Sequence, residues 1–165
     1  MQRVDPDELG DLYYQPWLAT LATYRKDGSV LLSPVWFEWD GAGFLISLVH
    51  GDWKELHLRR DPRAGILIAE EANYPGRALE VSGRATVTAD ADGSAILRIA
   101  TRYLGEEIAR KWLAPLADME WDLMRLVPEK SRALDHRNVP FLAKAESQYP
   151  STSEWRIEML RILEE

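Results

Sequence analysis

SPVWFEWDGAGFLIS, Ser33 to Ser47, reads as two β-strands joined by an Asp-Gly turn. Val35, Phe37 and Trp39 fall at alternate positions, as a strand with one face on a core requires, and Glu38 follows the same rule on the other face. Trp36 breaks it. Pro34 adds a second irregularity, because it has no N–H to give to a ladder and belongs at a strand start or an edge. The stretch therefore predicts unpaired backbone beside a large flat side chain. Such a place suits a flat heteroaromatic ligand, which needs hydrogen-bond partners at its rim and an apolar wall. It also suits an aromatic contact with a second copy of the chain, the reading this window by itself favours.

Working outward, Trp17 to Tyr24 reads as a strand, RKDG (Arg25 to Gly28) as its turn, and Ser29 to Trp39 as the partner strand. DGAG then turns into Phe44 to Val49, which predicts a three-strand meander. Asp52 and Glu55 have capping-box spacing ahead of a short helix that Asp61-Pro62 stops. Ala64 to Glu71 and Ala78 to Thr88 are the next strands, with Gly83 marking a bulge. Ile96, Ile99, Ala100, Tyr103 and Leu104 make the stripe of an amphipathic helix closed by Gly105, and a second helical stretch reaches Leu113. Trp121 to Val127 supplies a sixth strand. Asp5-Pro6-Asp7-Glu8 predicts a short N-terminal helix toward Tyr14.

Six antiparallel-prone strands with inserted helices predict a mainly β fold, a small barrel. Residues 1–145 are expected to form one domain, and 146–165 a linker followed by a C-terminal helix with an apolar stripe of Trp155, Met159, Ile162 and Leu163. At 165 residues, 46% of them hydrophobic, the chain suffices for one core and is short for two.

The formal net charge of −7, with basic residues spread along the chain, lacks the footprint of a nucleic-acid binder. There is no cysteine, hence no disulfide and no thiolate chemistry. His50, His57 and His136 follow no recognisable zinc spacing, so no metal is expected. GxSxG, GxGxxG and GxxxxGK[ST] are absent. No window resembles a membrane span or a signal peptide, which makes a soluble cytoplasmic protein the expectation. One position invites an anion: the helix start at Asp52, with Lys54 in its first turn, although the Asp52 carboxylate would compete for the same donors.

LATLATYRKDGSVLLSPVWFEWDGAGFLIS, followed by a Gly, a Lys, LRRDPR, the strand LEVSGRATV and the stretch RYLGEE, resembles the pyridoxamine 5′-phosphate oxidase-like split β-barrel family. The likeness is to its branch of flavin- and deazaflavin-dependent oxidoreductases and runs from about Trp17 to Leu134. It implies a split β-barrel homodimer binding FMN or F420 at the subunit interface and moving a hydride to or from a small-molecule substrate. By this resemblance Ser33, Pro34, Val35 and Trp36 would flank the ring, and Ser47 would bond the ribityl or phosphate region. Lys54 would pair with the phosphate, supported by His50 and His57, and no protein residue is assigned as catalytic. Members often carry basic residues where this chain has His50, Asp52 and Leu56, and asparagine in place of His57. The alternative is a non-catalytic flavin, F420 or haem binding protein on the same fold.

Overall fold

The computed structural model describes residues 3–4, 6–70 and 76–135. The expectations for Asp5, the tip of the loop after Glu70, His136, and the linker and C-terminal helix lie outside the described residues. The strands are β1 (Arg3–Val4), β2 (Ala19–Tyr24), β3 (Val30–Val35), β4 (Glu38–Trp39), β5 (Phe44–Val49), β6 (Arg63–Ala69), β7 (Arg77–Ala89) and β8 (Trp121–Asp135). The helices are α1 (Trp53–Arg60), α2 (Ser94–Leu104) and α3 (Glu106–Leu113). No helix among the described residues is long and apolar enough to cross a membrane.

The fold is mainly β, a curled antiparallel sheet with three α-helices, in keeping with a split barrel. Neighbours run β3-β2-β6-β7-β8-β5-β4, and β1 pairs with β8. This order corrects two expectations. The ribbon Ser29 to Trp39 is not one strand, and the meander does not form: β3 pairs with β2 while β4 pairs with β5, at opposite ends of the sheet. Laid flat, six strand spacings of about 4.8 Å would separate those ends by roughly 29 Å. The two-residue link Trp36-Phe37 reaches at most about 11 Å. The sheet must therefore curl until its ends nearly meet, and the break in alternation at Trp36 is where the chain crosses from one end to the other.

Eight strands replace the predicted six, because that ribbon divides and because Arg3–Val4 pairs with Ala133 and Leu134. The N-terminal helix is a 3₁₀ segment, Pro6–Tyr14, broken at Gly10 (φ 62°). At Gly83 the β7–β8 register shifts, as a bulge requires, and a Cβ there would lie 2.4 Å from the Val127 carbonyl oxygen. Inside the curl, alternate residues of every long strand meet: Leu21, Phe37, Phe44, Ile46, Leu48, Ile66, Ile68, Leu79, Met124 and Leu126 are buried in one cluster. The α2 stripe buries Ile96, Ile99 and Ala100 as its spacing predicts.

Candidate functional site

The crossing leaves Phe37 without a ladder partner, and α2 supplies one. Tyr103 accepts the Phe37 N–H (3.0 Å) and donates its hydroxyl to the Trp17 carbonyl (2.8 Å). Burial pushes the Tyr103 phenol above its ordinary range against the smaller opposing effect of the Phe37 bond. Its ring lies on Trp36, with centroids 5.0 Å apart and planes 12° from parallel, and Trp112 of α3 meets the same indole at 5.3 Å. Trp36 is thereby held as a wall.

That wall borders a pocket of about 400 Å³, within the range for small-molecule sites. β3 and the crossing contribute Pro34, Val35 and Trp36; β5 contributes Ser47, Leu48 and Val49; the start of α1 contributes Asp52 and Lys54. Five of the residues singled out in sequence, Pro34, Val35, Trp36, Ser47 and Lys54, converge here. Leu18, Ile96, Ile99, Trp112 and Trp121 complete the lining. Sequence reasoning missed these five as site residues, because an apolar residue facing a ligand has the same local pattern as one facing a core.

Ser47 Oγ is buried and has no hydrogen-bond partner among the described residues. A buried hydroxyl left unpaired costs stability unless something else bonds it. At the other end of the pocket, Asp52 caps α1 by accepting the Trp53 N–H and also binds the Lys54 ammonium. Lys54 is about three-quarters buried. The predicted capping box is incomplete, since Glu55 turns inward and binds Arg59 instead. Among the described residues, Asp52 and Lys54 are the only charged side chains in the lining, and they pair with each other.

The other three singled-out residues sit elsewhere. Ser33 pairs with Leu21 in the ladder and falls on the face opposite Pro34. His57 is buried, with Nδ1 3.1 Å from the Thr23 hydroxyl, and burial, aided by Arg60 and Arg25, pulls its pKa below the usual histidine range. His50 lies beyond the pocket, where Nδ1 meets the buried Asp122 carboxylate at 2.9 Å. Ligand-type atoms of His50, Glu55 and Asp122 come within 4.8 Å of one another, a grouping invisible in their spacing. Arg59 donates to both carboxylates and already places a positive charge there.

A family profile described as pyridoxamine 5′-phosphate oxidase matches residues 6–134, beginning ahead of Trp17. No curated protein sequence matches the chain. Among solved structures, the chain is similar to an F420 reductase, with 26% identity and a TM-score of 0.62, covering 73% of this chain and 93% of that one. It is also similar to an FAD-binding protein of Mesorhizobium loti (18%, TM-score 0.59, 80% and 95%). A haem storage protein of Vibrio cholerae is comparable (21%, TM-score 0.57, 79% and 93%).

Proposed function

The chain belongs to the pyridoxamine 5′-phosphate oxidase family, and from that premise we propose that it is an oxidoreductase holding FMN or F420 in the pocket between β3, β5 and α1. When bound, such a group supplies the hydride-transfer chemistry, so the protein need only bind, orient and shield it. The observation that carries this reading is the unpartnered buried Ser47 Oγ beside the aromatic wall of Trp36 and Trp112. Pro34, Val35 and Trp36 would cover the face of a flat ring and exclude water from it. Ser47 would donate to a hydroxyl or phosphate oxygen, and Lys54 would pair with the phosphate once released from Asp52. One cation, already matched by Asp52, favours the single phosphate of FMN over the polyanionic tail of F420.

The second copy expected in this function fits the outer face of β2, β3 and β6. Leu18, Val30, Leu32 and Leu67 are exposed there, and Leu18 and Pro34 belong both to this face and to the pocket rim. A homodimer joined on this face would bury the apolar residues and close the rim. The F420 reductase neighbour supports a redox reading. A small organic molecule is the expected second substrate.

The test is the absorption spectrum of the freshly purified full chain, followed by titration with FMN and with F420. Trp36, Trp112 and Trp121 line the pocket, so their fluorescence should fall on binding. Colourless protein whose fluorescence responds to neither cofactor overturns the proposal.

A further inference from the structure

Helix α3 buries one side and leaves another bare. Ala109 is its buried residue, while Ile108 and Trp112, one turn apart on a shared face, are 57% and 39% exposed. Its charged side chains are already matched, since Glu106 binds Arg110 and Glu107 binds Lys111. What α3 lacks is an apolar cover. Trp112 also meets Trp36 at the pocket wall, so whatever covers this face backs that wall.

The same chain supplies a matching surface. Residues 136–165 lie outside the described residues, and their sequence sets Trp155, Met159, Ile162 and Leu163 at i, i+4, i+7 and i+8, one helical stripe. So short a helix holds only when its stripe is packed. Where the described chain ends decides which surface it meets. Asp135 pairs with Arg77, and Arg77 binds Asp11 at 2.7 Å. Gln15 donates its N–H to the Asp11 carbonyl (3.2 Å), and Arg102 donates to the Gln15 carbonyl, just ahead of Gly105 and the start of α3. Residues 136–150 reach up to about 50 Å when extended, enough to follow that line of contacts. The exposed pair on α1, Trp53 and Leu56, adjoins the other end of β8, where His50 donates its N–H to Glu120. That end is about 46 Å along the strand from Asp135.

We propose that residues 151–165 dock as a helix on the outer face of α3 of their own chain, laying Trp155, Met159 and Ile162 over Ile108 and Trp112. Each stripe supplies the apolar cover that the other needs. The docked segment backs Trp112 and so steadies the wall that Trp112 and Trp36 form. The docking does not depend on what the pocket holds.

The absence of cysteine from the chain makes disulfide trapping a clean test. Ile108→Cys is combined in the full chain with Trp155→Cys, Met159→Cys or Ile162→Cys in turn, without added cofactor, and each variant is oxidised with copper-phenanthroline. A disulfide needs Cα atoms within about 7 Å. At least one pairing is expected to close within a single chain, seen by mass under non-reducing conditions, and Leu56→Cys with the same three is expected to close none. In a second measurement, the thiol of Ile108→Cys alone should react with dithionitrobenzoate about tenfold faster once Met159→Asp is added, as loss of a ten-to-one docked population gives. No closure from Ile108→Cys, equal closure from Leu56→Cys, disulfides that join two chains, or a thiol whose rate Met159→Asp leaves unchanged overturns the proposal.

Discussion

The hydroxyl of Tyr103 lies 3.0 Å from the backbone nitrogen of Phe37, so a helix side chain supplies the bond that the sheet withholds where it changes ends. Tyr103→Phe keeps the ring against Trp36 and removes that acceptor. It also strands the Trp17 carbonyl. Leaving buried backbone groups unpaired costs about 1–3 kcal/mol each. With two such groups, urea unfolding should show a loss of about 2–6 kcal/mol, with little change in the near-ultraviolet signal of the tryptophans. A variant as stable as the parent would mean that water replaces the hydroxyl.

Asp52 and Lys54 make opposite predictions for anion binding. Asp52→Asn retains a capping side chain and frees the ammonium, so FMN should bind more tightly. Lys54→Gln removes a charge-assisted contact of about 1.5–3 kcal/mol and should weaken binding by an order of magnitude or more. Fluorescence titration of both variants checks the pair. If they move affinity in the same direction, Lys54 does not meet the phosphate.

His57 makes stability sensitive to acid. Its folded pKa is depressed, chiefly by burial and then by Arg60 and Arg25, relative to about 6.5 in the unfolded chain. The unfolded state therefore takes up a proton first. The contribution of the neutral imidazole is fully present above about pH 6.5 and is lost as pH falls from there through the folded value. Urea midpoints at pH 8 and pH 5.5 should differ less in His57→Gln than in the parent, and an equal difference would remove His57 as the cause.

Gly83→Ala tests the bulge. The added methyl would sit 2.4 Å from the Val127 carbonyl oxygen, a backbone atom of the paired strand. Either β7 or β8 must shift, at a cost of about 1–3 kcal/mol or more. The melting temperature should fall by several degrees; an unchanged value would show that the strands part there freely.

What the sequence determined was local. The turn after Asp40, the bulge at Gly83, the end of α2 at Gly105 and the Ile96–Ile99–Ala100 stripe follow from backbone freedom and side-chain period, which neighbouring residues alone set. The alternation of Val35 and Phe37 was legible for the same reason, as was the anomaly of Trp36. The ordered motifs carried the family as well. Only the tertiary structure decided that the ribbon divides at Trp36, that Tyr103 stacks on it, and that Ser47 and Lys54 share a pocket with it while His50 and His57 do not. Period tells which face of an element is apolar and is silent on which other element that face will meet. A polar group's partner is chosen by what lies within about 3 Å after folding, and Asp122 finds His50 from the turn after β5 and Arg59 from α1. Those meetings depend on the sheet curling, and the curl is imposed by the short link between its two ends.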